Sequence, residues 1–264
     1  MRRFVLYTMV LALLIVPEVE GTPATIIDFS TDLMTPVPNP LSLGQIIDDE
    51  FAHMGLTIST ENFRSGHPDI GIIFDSSNPT GDDWDLETPS TPNNGNRWYE
   101  SLGNFLIIAE DDVDNDNDGF IDDPDDEGRR PAGEFTFDFQ PAIESFGFYL
   151  VDVENVEAGG GYFASFLSNG TEVYNRTFSS LAGLDRGSGL VVFGDNTINR
   201  IDAFNAYELG TAPWDQVIIR LGGSGAVDNI QFSYVPEPST FALFGLGAFG
   251  LLGYGWRRRK QMKK

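Results

Sequence analysis

An all-β fold, a two-sheet sandwich of jelly-roll type, is the class this 264-residue chain predicts for its body. Three observations lead there. Short apolar or alternating segments recur between Gly, Pro, Asn and Asp punctuation. No stretch between residues 25 and 234 sustains a capped 3.6-residue period. Twenty-one phenylalanines and 41% apolar residues supply a core despite strong acidity, which argues against disorder. Many short strands with turn residues between them close most simply into two packed sheets.

In chain order the expected strands are Thr25 to Phe29, Gln45 to Phe51, Leu56 to Thr60, Gly71 to Phe74 and Asn104 to Ala109. After an acidic gap come Glu134 to Phe139, Ser145 to Val153, Tyr162 to Leu167, Glu172 to Phe178, Leu190 to Phe193, Arg200 to Ala206, Gln216 to Leu221 and Val227 to Tyr234. Phe135, Phe137 and Phe139 put three rings on one face, with Thr136 and Asp138 on the other, the pattern of a half-buried strand. Asn169-Gly170 is a two-residue hairpin signal, because both positions of a type I′ turn need positive φ. Residues 75–100 instead form a long loop rich in Asp, Pro and Asn, and loops of that length inside a compact domain are commonly functional.

The net charge of −24 excludes a class of partner. Phosphate binding needs Lys and Arg to displace counterions, so no nucleic acid partner is expected. Such acidity also costs self-repulsion in the folded state unless cations neutralise part of it. One segment is built for a cation: the acidic loop 111–127 holds Asp114, Asp116, Asp118 and Gly119 in D-x-D-x-D-G order, with Asp122 and Asp125 at the ninth and twelfth positions. Alternate carboxylates point inward around a hard ion, Gly119 allows the bend, Phe120 offers its backbone carbonyl and Ile121 packs inward. The expected cofactor is calcium, bound at about 10⁻⁴ to 10⁻³ M as in extracellular modules. Asp125 stands where an EF-hand has Glu, and a strand precedes the loop where a helix would enter. The loop therefore resembles the helix-free calcium loops of extracellular and dockerin-like modules. Asp75, Asp82, Asp83 and Asp85 form a less regular second acidic group, and Asp228 a further isolated candidate ligand.

Both ends are greasy. Arg2 and Arg3 precede an apolar stretch from Phe4 to Val16, so residues 1–21 read as a signal peptide, and residues 22–234 as an exported ectodomain. At the other end Pro236, Glu237 and Pro238 lead into an uncharged apolar run, 241–256, followed by Arg257, Arg258, Arg259 and Lys260. At 1.5 Å per residue that single transmembrane helix reaches roughly 24 Å, and the basic stop keeps its carboxyl end in the cytoplasm. Motif, span and basic stop in this order resemble the PEP-CTERM protein-sorting tail over residues 235–264. The resemblance implies a Gram-negative exopolysaccharide producer and recognition of Pro236, Glu237 and Pro238 by an intramembrane transpeptidase, the exosortase. It further implies a transient inner-membrane intermediate and delivery to the cell surface or extracellular matrix. Separately, Phe74 to Pro89, Asn104 to Glu110 and Ala226 to Phe232 are similar to a recurrent secreted bacterial sandwich, a likeness that bears on the fold.

No catalysis is expected. Only His53 and His67 could serve a His-based triad, no cysteine is present, and no metalloprotease or phosphate-loop motif occurs. Hydrolysis of carbohydrate by paired carboxylates is the enzymatic alternative. The preferred expectation is association with exopolysaccharide or a surface glycan through Trp84, Trp98 and Tyr99, whose rings can stack on sugars. A matrix protein without a ligand pocket is the other non-enzymatic alternative.

Overall fold

The computed structural model describes residues 23–88, 101–153, 161–184 and 190–236. It is all-β, built from ten strands in chain order: β1 (Thr25–Ile27), β2 (Leu56–Asn62), β3 (Gly71–Asp75), β4 (Asn104–Ile108), β5 (Gly133–Val151), β6 (Phe163–Ser168), β7 (Thr171–Thr177), β8 (Ile198–Asn205), β9 (Trp214–Leu221) and β10 (Ala226–Tyr234). The compact unit containing them runs from Pro23 to Val235. The expected signal peptide, the span 241–256, Arg257, Arg258, Arg259 and Lys260 lie outside the described residues.

Strand β5 organises the sheets. Over Gly133–Phe139 it pairs with β2 and β9; after Gln140–Ala142 it pairs with β10 and β8, keeping β9 only where Ile143 stands opposite Trp214. Proline at 141 has no N–H to donate, so the ladder is interrupted there and the strand changes partners. One half thus belongs to β2–β5–β9–β6–β7 and the other to β3–β4–β10–β5–β8, with β1 beside the end of β10. Sequence reading separates these halves as two strands. The structure joins them, so the two layers form one continuous hydrogen-bonded path.

Alternation along β5 does the packing. Phe135, Phe137 and Phe139 are buried while Asp138 between them is exposed. Their rings meet those of the strand's second half: Phe137 lies 5.6 Å from Phe146, and Phe146 lies 6.3 Å from Phe166 of β6. Trp214, fully buried, sits 4.4 Å from Phe166 and donates its indole N–H to Thr211. Each such ring buries 150–250 Å², so this aromatic layer is the main apolar contribution to stability. A second cluster, including Phe74, Phe105, Ile121 and Ala226, covers the outer face of β3, β4 and β10. Phe74 and Phe105 stack there at 5.4 Å.

The Asn169-Gly170 hairpin forms with φ of 50° and 72° and joins β6 to β7. Two expected strands do not form. Gln45 to Phe51 makes only a single bridge at Ile46 before turning, since Asp48, Asp49 and Glu50 favour local side-chain-to-backbone bonds. Leu190 to Phe193 is likewise not a strand: Asn199 Oδ1 accepts the Val192 N–H at 2.7 Å in place of a ladder partner.

Gly55 marks the closest backbone approach beside the β5 interruption. Its φ is 83°, and a Cβ there would stand 1.9 Å from the Gln140 carbonyl oxygen. Gln140 N–H bonds to the Gly55 carbonyl at 2.7 Å. Gly55→Ala is expected to destabilise the domain by about 2 kcal/mol or more, read as a lower urea midpoint with unchanged slope.

Candidate functional site

In its middle the acidic loop is anchored to the body by Ile121. Ile121 is buried in the second apolar cluster, and its N–H donates to the Gly44 carbonyl at 2.9 Å. Gly44, at φ 74°, leaves no room for a side chain, because its Cβ would lie 2.2 Å from the Ile121 oxygen. Everything from Asp114 to Gly119 projects from this anchor.

Within the loop, carboxylates hold the backbone. Asp114 accepts from the N–H groups of Asn117 (2.7 Å) and Gly119 (3.0 Å), Asp116 from Asp118 (3.2 Å), and Asp118 from Phe120 (2.9 Å). Asn117 and Gly119 supply the positive φ values, 60° and 90°, that coil the chain. The result brings oxygen atoms of Asp114, Asp116 and Asp118 within 4.8 Å of one another. The Asp118 N–H favours the ionised Asp116, but the Asp118 charge, desolvation and the Asp122 and Asp114 charges outweigh it and raise its pKa. A divalent cation would relieve that repulsion.

Asp122 and Asp125 sit differently from the expected ninth and twelfth positions. Asp122 accepts from the backbone (2.8 Å) and side chain (3.0 Å) of Asn115. At Asp123 the backbone turns through φ 50°, and Pro124 follows; this redirects Asp125 toward Asp83 and Asp126, with which it forms a separate group within 4.8 Å. Phe120 is half-buried at the loop's end.

That second acidic group joins the 75–88 loop to the acidic loop. Thr80 Oγ donates to the Pro124 carbonyl at 2.8 Å, Gly81 N–H to Asp123 at 3.0 Å, and Asp126 N–H to Asp83 at 3.0 Å. Asp126 is buried and accepts from Gly225 N–H (2.6 Å) and Ser224 Oγ (2.9 Å). Ser224 Oγ also lies 3.3 Å from Asp152, which groups in turn with Asp85 and Asp195. Burial pushes the Asp83 carboxyl up to about 9, with the Asp126 charge adding to it. Burial likewise lifts Asp126 to about 7 against the Gly225 and Ser224 hydrogen bonds, and raises Asp125. Among the described residues no arginine pairs with Asp83, Asp125 or Asp126.

The neighbouring Glu127 is the contrast. It too is buried, but Arg64 (3.5 Å), His67 (3.0 Å), Asn62 (3.3 Å) and the Arg129 N–H (2.8 Å) surround it. His67 is thereby a structural partner, not the solvent-facing residue its Pro- and Gly-rich surroundings suggest. His53 contacts the Glu50 carbonyl and is exposed.

Trp84 opens a short 3-10 turn, Trp84–Leu86, whose Leu86 is fully buried while the indole is 64% exposed. It borders a cavity of about 490 Å³ lined also by Thr80, Gly81, Asp82, Asp123 and Asp125. A larger concavity, about 890 Å³, lies over β2, β5 and β9 and presents Thr57, Asp138 and Gln216 but no exposed ring. Trp98 and Tyr99 lie outside the described residues. Asp228 is buried on β10, with one carboxylate oxygen bonded to Asn229 and the other without a hydrogen-bond partner; desolvation raises its pKa well above the usual range.

Raised carboxyl pKa values stabilise the fold at low pH. The stabilisation from Asp83 and Asp126 is complete below their unfolded value near 3.8 and is lost as pH climbs through about 7 to 9. In chelator, the melting temperature is therefore expected to fall by several degrees between pH 6 and 9, and Asp83→Asn should flatten that decline.

No curated protein and no solved structure matches the chain. Residues 235–260 match the family model of the PEP-CTERM protein-sorting motif, starting one residue beyond β10. Pro236 is the last described residue of the motif, and Glu237 and Pro238 lie beyond the description. The chain thus carries a PEP-CTERM sorting motif, which implies export, a membrane-anchored intermediate, processing by exosortase and delivery to the surface.

Proposed function

We propose that the ectodomain is a non-catalytic, calcium-stabilised module that associates with exopolysaccharide or another surface glycan once sorting is complete. The observation that carries the glycan reading is Trp84, an indole left 64% exposed on a turn whose next-but-one residue is locked in the core. An exposed ring held on a rigid base stacks on a sugar at low entropic cost, and the Thr80, Asp82 and Asp123 groups around the cavity suit hydroxyls. Anionic ligands are disfavoured there, because every charged group in the lining is a carboxylate.

Calcium belongs to the Asp114, Asp116 and Asp118 trio, where spacing, bend and converging oxygens coincide. Against hydrolysis stand the positions of the histidines, one exposed and one engaged with Glu127.

Calcium at millimolar concentration is expected to raise the melting temperature by a few degrees, and Asp116→Ala with Asp118→Ala to abolish the shift. Identical melts in calcium and chelator would remove calcium from the reading. Retention on polysaccharide isolated from the producing cells should drop about tenfold for Trp84→Ala, the scale of a lost aromatic stack. Sequence-blind, calcium-dependent retention unaffected by Trp84→Ala would favour a matrix protein without a pocket, and release of reducing sugar would favour a hydrolase.

A further inference from the structure

The sorting motif begins where the sheet ends, with no linker between them. Val235, the first residue of the matched motif, donates its N–H to the Ala142 carbonyl at 3.2 Å. Tyr234 is in register with Ile143, stacks edge-on against Phe232 at 5.3 Å and donates its hydroxyl to the Met54 carbonyl. Ser233 pairs with Ser145, and Phe232, wholly buried, pairs with both Phe146 and Thr25. The apolar run starts at residue 241, so the five residues between Val235 and the run reach at most about 18 Å even when fully extended.

Enzymes that act on a peptide bond take the chain around it in extended form, outside its own secondary structure. Here the residues immediately upstream are held in a sheet, and those downstream run directly into the anchor. We propose that Ser233–Val235 is a presentation segment that the exosortase binds as an extended strand, in competition with β5. Tail removal then acts on molecules in which this end of β10 has peeled away. The segment is suited to peeling. The ladder with β5 is already irregular between Ser233 and Tyr234, and Tyr234 and Val235 are only half-buried. Phe232 stops the opening, because its ring also packs 5.1 Å from Phe139. The rate of attack on a locally opened state follows the open population, so holding the segment closed slows processing and loosening it speeds processing.

The inference rests on exosortase processing and is independent of calcium or glycan binding. Its test uses the whole chain in the producing cell. The protein has no cysteine, and directly paired strand residues lie within disulfide reach, so Ser233→Cys with Ser145→Cys can lock the segment. The oxidised lock is expected to slow tail removal about tenfold or more by pulse-chase. Reductant should restore the parental rate, as should a Gly/Ser spacer of about eight residues after Val235, spanning ~16 Å. Tyr234→Ala, which loosens the segment without a crosslink, should accelerate removal and tests the idea even if the lock hinders folding. Parental rates for the locked chain, or no acceleration by Tyr234→Ala, overturn the proposal. A parental chain that keeps its tail overturns the sorting assignment beneath it.

Discussion

One strand carries the architecture. β5 runs nineteen residues and lends its first half to one layer and its second to the other. The apolar rings of both halves therefore belong to a single covalent segment that folds back over itself. Phe137 and Phe146 meet at 5.6 Å because residues 140–142 turn the chain between them. Aromatic burial is non-directional and would tolerate many arrangements, whereas the ladder partners of each half fix the register. Disrupting the bend at Gly55 or Gln140 would misalign both layers together.

Against that apolar framework the acidic edge follows a different logic. A buried carboxylate needs either counter-charge or donors, and the fold uses each in turn on adjacent residues. Glu127 has Arg64 and His67; Asp126 has only the Gly225 N–H and the Ser224 hydroxyl. The first thus has a guanidinium within reach, whereas the second has neutral donors alone. The second and its neighbour Asp83 hold protons into the neutral range. The bonds from Thr80, Gly81 and Asp126 that bring the 75–88 loop onto this edge also set Trp84 beside Asp123 and Asp125.

Local signals were readable in the sequence because they are local. The alternation of Phe135, Phe137 and Phe139 and the Asn169-Gly170 turn each depend on a few neighbouring residues, and each takes the geometry its pattern implies; the Asp114 to Gly119 spacing is equally local and brings the three carboxylates together. What was not readable depends on residues far apart in the chain. Nothing in the 133–151 stretch says that it stays one strand across Pro141, because that is decided by β9 and β10 arriving on either side. Asp125 falls at a plausible loop position, yet Asp123 and Pro124 turn it toward Asp83, forty-two residues earlier. Gly66 and Pro68 around His67 say nothing of Glu127, sixty residues later, which lies 3.0 Å from its imidazole.

The order of strand pairing bears on export. β10, the last strand made, is an inner strand: it pairs with β5 on one side and with β4 and β1 on the other. Among the described residues β1 has no other ladder partner, so the first strand waits for the last. Such pairing is non-local, joining residues more than two hundred apart in the chain. The antiparallel match of Thr25 with Phe232 also sets the beginning and end of the domain side by side. With no disulfide to trap a partial fold, closure of the sandwich depends on Phe232 reaching Phe139 and Phe146. The same ring that completes the core is therefore the boundary beyond which the chain is still available to the sorting machinery.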